Sequence, residues 1–424
     1  MVAGIIFAIL LFGFLIISHE LGHFLAAKAA GVEVTDFSVG MGPVLFSKKI
    51  KTTRYCLRLF PIGGSCSMYG EDEEIDKPGS FYHAKPLARL GILAAGAGMN
   101  ILTAVLAGIV LCFLAGVDRP VVSNVEEGHP AAAVLEEGDR ITRINDVSIS
   151  CGKDLTMCTL SGMPETVFVT YVRDGVSHTD TYETTVSSLL LGFSYQMAGS
   201  TELTAVTEGG AMAEAGFLPG DVIVSVDGHA MENGAAVHDW FTAHPLSEGV
   251  AVDVVCERDG AEISASVMPR MTENTSFGFS MQRQDDAGFL SYIAGGISEA
   301  VWWVKSVFVS LQMLFTGDAG ISDLTGPVGI TSTVAETVSS GYDLREKALS
   351  GLMIMVMLGA NLGVMNLLPI PALDGGRIVF TLIEMIRRKP VPRQIEAVIH
   401  AVGMIVLLGL VFVVFVQDSL RLMG

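Results

Sequence analysis

Four stretches of this 424-residue chain are almost wholly apolar: Val2 to Ala27, Leu90 to Leu114, Leu349 to Leu368 and Ala397 to Val416. Each is near the roughly 20 residues that a helix needs to cross a bilayer core, so four transmembrane helices are predicted. A fifth stretch, Phe289 to Phe315, is apolar but carries Glu299, Lys305 and a Trp302-Trp303 pair, the make-up of an amphipathic helix lying in the membrane interface. Between the second and third spans the pattern changes to alternation. VSNVEEGHPAAAVLEEGDRITRINDVSI, from Val122, and LTAVTEGGAMAEAGFLPGDVIVSVDGHAM, from Leu203, share one order: an apolar strand, a small-residue turn, an Ala-rich helical stretch, then Gly-Asp and a second alternating strand. Period-two alternation closed by Asn-Asp or Asp-Gly is a strand-and-turn signal, so two copies of one α/β unit are expected.

Composition agrees with a membrane protein: half of the residues are hydrophobic and the mean hydropathy is positive. The net charge of −19 is unevenly spread. Val117 to Ser350 holds 11 Lys and Arg against 33 Asp and Glu, a net of −22, which argues against nucleic acid as a partner. Basic residues gather instead after the first span (Lys28, Lys48, Lys49, Lys51, Arg54, Arg58) and between the third and fourth (Arg377, Arg387, Arg388, Lys389, Arg393). The positive-inside rule makes both loops cytoplasmic and puts the termini and the acidic central region outside. A cleaved signal peptide is the alternative for the first span, AAKAAG being the cleavage-like site, but it lacks a basic start. The six cysteines have no metal-type spacing; Cys151 and Cys158, on the outer side, are either free thiols or a disulfide.

The first span ends in HELGH, His19 to His23. Residues four apart share a helix face, so His19 and His23 can offer two nitrogens to one zinc ion with Glu20 beside them. Ionisable residues within a membrane are costly and mark function. A catalytic zinc takes three protein ligands and leaves one position open. The third is expected from NLLPIPALDGGRI, because the topology brings Asp374 to the cytoplasmic end of the third span, the same leaflet as HELGH. Pro369 and Pro371 interrupt that span. Broken backbone at membrane depth persists only where protein or a watery cavity satisfies it.

HELGH, the stretch starting RLGILAAGAGMN and NLLPIPALDGGRI together resemble the site-2 intramembrane metalloproteases, in the bacterial branch that regulates sigma factors. The two outer repeats resemble the PDZ domains of bacterial proteases, Gly138-Asp139 and Pro219-Gly220-Asp221 matching the PGD turn. FSVGMGPVLFS is similar to the family's membrane-reentrant loop, FPIGGSCSMYGED to the strand that follows, and LTGPVGI (Leu324 to Ile330) to the segment after the PDZ pair. AAGAGMN departs from the pattern, which has a proline after the first glycine.

The resemblance implies a polytopic α-helical membrane protein: four transmembrane helices, a zinc site between the first and third, a membrane-reentrant β-loop and two extracytoplasmic PDZ-like α/β domains. The expected boundaries are helix 1 over 1–30, the reentrant β segment over 31–89, helix 2 over 90–116, PDZ-like domains over 117–190 and 191–272, and an amphipathic region over 273–345. Helix 3 follows over 346–376, a cytoplasmic loop over 377–396 and helix 4 over 397–424. The resemblance further implies Zn2+ on His19, His23 and Asp374, Glu20 as catalytic base, and Asn366, Gly40, Gly42 and Asn100 as substrate-binding residues. It implies, as substrates, single-pass membrane proteins already trimmed by a site-1 protease, such as anti-sigma factors or remnant signal peptides, in the bacterial cytoplasmic membrane. A PDZ scaffold without activity leaves HELGH unexplained. A transporter does not need metal-ligand residue types. For a serine protease the chain has no GxSxG motif.

Overall fold

The computed structural model describes residues 2–71, 75, 77–160, 162–195, 200–258, 260–285, 288–320, 326, 329, 331, 344–389 and 391–423. They form two compact units: residues 1–119 with 283–424, and Pro120–Gln282.

The first unit is helical, with a β-hairpin. Among the described residues its long helices are α1 (Val2–Ala29), α2 (Pro86–Ala115), α3 (Phe289–Thr316), α4 (Leu344–Leu367), α5 (Asp374–Arg387) and α6 (Arg393–Met423). Four of them, α1, α2, α4 and α6, are long and apolar enough to cross a membrane. Small residues set how closely they pack. A Cβ on Gly22 of HELGH would stand 2.2 Å from the Ala95 carbonyl oxygen of α2, so glycine there lets α1 and α2 touch. Ala104, Ala107, Ala300, Val356 and Ala360 form the buried seam of α2, α3 and α4.

The helix α3, expected to be amphipathic, packs on the span-length helices. It runs antiparallel along α2, Gly295 meeting Cys112 and Gly296 meeting Ile109. Its buried Glu299 is answered by an ion pair with Arg283, so the charge that set this helix apart in the sequence is neutralised inside the unit.

The hairpin is β1 (Val34–Ile50) and β2 (Thr53–Met68). β2 bends back around its partner, so Phe37 of β1 pairs with Tyr55 on one side and Cys66 on the other. Locally this makes three strands with β1 in the middle, and leaves Gly64 to Met68 as an edge.

The second unit repeats one design twice. In the first copy, β3 (Val117–Val125), β4 (Arg140–Ile144), β5 (Val147–Ser148), β6 (Thr166–Arg173) and β7 (Val176–Glu183) share a sheet. The strands β8 (Thr185–Leu190) and β9 (Phe193–Tyr195) lead to the second copy, which continues through β10 (Leu203–Val206), β11 (Val222–Val226), β12 (His229–Ala230), β13 (Val252–Arg258) and β14 (Ala261–Val267). Corresponding atoms do corresponding work. Asp139 accepts from the Glu136 N–H and from Arg173, as Asp221 accepts from the Leu218 N–H and from Arg258. Gly138 and Gly220 have φ of 95° and 94°, which favours glycine in both turns.

The chain then runs through β15 (Arg270–Thr275), paired with β8, and returns as β16 (Phe279–Gln284) beside β3. The Glu126 N–H donates to the Gly278 carbonyl at 2.8 Å, and Phe277 and Phe279 complete the core of the first copy. The second copy is thus an insertion within the first. Division at residues 190 and 272 cuts across this nesting, because the strand that closes the first sheet comes after the whole second copy. The six cysteines, Cys151 and Cys158 included, form no disulfide.

Candidate metal centre

HELGH lies in the last part of α1, and Asp374 is the first residue of α5. Between α4 and α5 the chain makes a tight turn through Pro369 and Pro371, which lack the N–H needed to continue a helix. Gly375 permits the reversal: a Cβ there would lie 2.0 Å from the Leu368 carbonyl oxygen.

The turn carries Asp374 to the histidines. Its Oδ2 is 3.1 Å from His19 Nε2 and 3.3 Å from His23 Nε2, and the two nitrogens are 3.1 Å apart. Among the described residues these three form one group of potential metal ligands. A tetrahedral ion with bonds of about 2.0–2.1 Å holds neighbouring donor atoms roughly 3.3 Å apart, so the triangle has the size of a zinc site. Its chemistry fits as well. The Nδ1–H of His23 donates to the Ile92 carbonyl at 2.8 Å, which leaves Nε2 a bare lone pair directed at the carboxylate. Asp374 Oδ2 is buried and without a hydrogen bond. Lone pairs and a carboxylate converging out of water need a cation between them. Gly96 of α2 completes the cradle, since a Cβ there would stand 2.4 Å from His23 Nε2. AAGAGMN therefore stays helical without the family's proline, and its first glycine makes the room.

A cavity of about 560 Å³ opens beside this triangle, lined by Glu20, Gly64, Cys66, Glu71, Arg377 and His400 among others. Gly64 packs on the Glu20 side chain. The edge Gly64 to Met68 thus borders the site. Burial, with Glu20 and Glu71 nearby, pushes the Cys66 thiol up to about 12, so it stays protonated at neutral pH. An ion pair of Arg377 with Glu71 ties the start of α5 to the end of β2.

The expected substrate-binding residues sit elsewhere. Gly40 and Gly42, at φ of 84° and 85°, lie under the bend of β2, where a Cβ on Gly40 would be 2.4 Å from the Phe60 carbonyl oxygen. They shape the hairpin and do not line the cavity. Asn100 is 1 % exposed, its backbone carbonyl against Gly359 of α4, and lies outside the cavity lining. Asn366 is half-buried near the end of α4, outside the cavity lining. Gly64 and Cys66, in the stretch FPIGGSCSMYGED, and His400 line the cavity without having been expected there. The Gly63-Gly64 pair after Pro61 was the available signal for the edge; His400, alone in an apolar helix, carried none.

Comparison with known proteins gives the same picture. The zinc metalloprotease RasP of Geobacillus kaustophilus is 31% identical over 444 residues, covering 98% of this chain and 97% of that protein. RasP of Bacillus subtilis, named as a regulator of sigma-W protease, is 30% identical over 450 residues, covering 98% of this chain and 97% of its own length. The RasP of Bacillus licheniformis is likewise 30% identical, over 446 residues. The family model described as peptidase family M50 matches residues 7–410. That match takes in both HELGH and the turn bearing Asp374, and with it the chain belongs to peptidase family M50, the zinc metalloproteases of the site-2 type.

Proposed function

We propose that His19, His23 and Asp374 hold the zinc ion of this protease and that Glu20 is its catalytic base. One observation carries the assignment: three donor atoms, from two ends of the chain, 3.1 to 3.3 Å apart beside a carboxylate at the end of an apolar helix. Zinc in such a site supplies a Lewis acid that lowers the pKa of water to about 7. Glu20 takes the proton of the attacking water and returns it to the leaving amine as the peptide bond breaks.

The substrate is a single-pass membrane protein whose outer part has been removed by an earlier cut. A peptide in an intact helix has its carbonyls bonded and out of reach, so the segment to be cut unwinds and adds as a strand to the Gly64–Met68 edge. Anti-sigma factors and remnant signal peptides belong to this class. The name of the Bacillus subtilis relative, regulator of sigma-W protease, supports the first of these. The nested outer unit, two PDZ-like copies, filters substrates by size. The charge pattern supports a multi-pass protein of the bacterial cytoplasmic membrane, with termini and PDZ-like unit outside and the site near the cytoplasmic leaflet.

The ligand assignment is tested by metal analysis. His19→Ala, His23→Ala and Asp374→Ala are each expected to lose zinc from the purified protein. Full zinc in any one of them removes that residue from the ligand set.

A further inference from the structure

We propose that His400, on α6, is a positioning residue for Asp374. Its Nδ1 accepts the Ala372 backbone N–H at 2.9 Å, two residues before the carboxylate. The proposal rests on the reading of Asp374 as a zinc ligand.

The turn that delivers Asp374 has little to hold it. Pro369 and Pro371 have no N–H to donate. Ile370 donates to the Leu368 carbonyl at 2.7 Å and Leu373 to the Ile370 carbonyl at 3.2 Å. Ala372 is left-handed, at φ 80°, a conformation an alanine keeps only when its surroundings impose it. The imposing group is His400. As an acceptor its Nδ1 carries no proton, so the neutral ring keeps its proton on the buried Nε2.

Other contacts serve the same turn. One helical step along α6, a Cβ on Gly403 would stand 2.4 Å from Pro371 Cβ, so only glycine allows the helix this close. Gly376 lies against both the Ile370 carbonyl and the His400 ring, and Phe380 packs on that ring with centroids 5.6 Å apart. These contacts are specific, because α6 is otherwise largely bare: between residues 394 and 420 only Val414 and Asp418 are buried. A histidine in so apolar a helix, with its acceptor nitrogen spent on this single N–H, fixes where the carboxylate begins.

The experiment compares four variants of the full-length protein in detergent, reading zinc release to a chelator, the visible spectrum of the cobalt-substituted protein, and kcat and KM on a membrane substrate. His400→Phe keeps a ring against Phe380 but has no acceptor. Outer partners of metal ligands are typically worth about 10–100-fold in affinity or activity, so zinc release about 10-fold or more faster is expected, with a shifted cobalt spectrum and a fall in kcat rather than a rise in KM. His400→Asn, whose Oδ1 replaces Nδ1, restores release and kcat. Gly403→Ala, which leaves His400 untouched, pushes the turn and also speeds release. Asp374→Asn is the control for the ligand reading. If His400→Phe and Gly403→Ala match the unmodified protein while Asp374→Asn releases zinc, the positioning role is overturned and the ligand reading stands. If Asp374→Asn also keeps its zinc, the ligand reading falls. An Asn variant as impaired as the Phe variant overturns the acceptor role.

Discussion

The Nδ1–H of His23 donates to the carbonyl of Ile92 across 2.8 Å, so the backbone of α2 sets the plane of an imidazole on α1. The same helix passes under both histidines at Gly96. α2 therefore forms the floor under the candidate metal ligands. Gly96→Ala drives a methyl into the space of His23 Nε2 and is expected to weaken zinc binding by about 10-fold or more while the helices stay folded. Zinc titration alongside a thermal melt checks this; normal zinc affinity in a folded Gly96→Ala protein contradicts it.

The edge at Gly64 to Met68 predicts where a substrate lies. Ser65 is exposed on this edge, whereas Val44 is exposed on the distal part of the hairpin. With a photo-crosslinking residue at position 65, an uncleaved substrate should be captured; at position 44 it should not. Capture at 44 alone moves the substrate strand to the other end of the hairpin.

Nesting of the second unit changes how its removal should be designed. Because β3 and β16 are neighbours in one sheet, the chain enters and leaves the unit on adjacent strands, which lie about 4.8 Å apart. Replacing residues 120–282 by a short linker takes out the whole unit, whereas a cut ending near residue 269 strands β15 and β16 without partners. The clean deletion is expected to cleave untrimmed substrates that the intact protein spares. If it spares them too, the second unit is no size filter.

The paired aspartates give a pH dependence. Arg258 holds the Asp221 carboxyl below its ordinary range, and burial of Asp139 is outweighed by Arg173 in the same direction. A depressed folded pKa stabilises above the unfolded value of about 4 and is lost as pH falls through the lower folded value. Asp221→Asn should destabilise the second copy by about 1.5–3 kcal/mol at neutral pH, the range for hydrogen bonds to charged groups. The gap from the unmodified protein should close below pH about 4. Hydrogen exchange over residues 222–258 reads this. A gap that is constant from pH 7 to 3 contradicts the pairing.

Much of this was legible in the chain. The four apolar runs became the four helices able to cross a membrane, and HELGH and LDGG, argued to one leaflet separately, meet within hydrogen-bonding distance. The internal repeat reappears down to the Asp–Arg pairs, because Gly-Asp and the turn residues are local signals. What was not legible depends on distant partners. FSMQRQ carries too weak an alternation to announce that it closes a sheet begun at Val117. Glu299 reads as a charge against membrane burial until Arg283 is found beside it. Gly40 and Gly42 look like a ligand-facing loop, but the bend of β2 puts Gly64, and not these two, in the cavity lining.

Under the proposed function, Glu20 performs proton transfer at a zinc centre built from His19, His23 and Asp374. Glu20→Gln, purified and measured for both zinc and cleavage of a membrane-spanning substrate, tests it most directly. Cleavage is expected to fall by about 10²–10⁴-fold, the usual contribution of a positioned acid–base group, with zinc content unchanged. Cleavage at the unmodified rate in the zinc-loaded variant would contradict it.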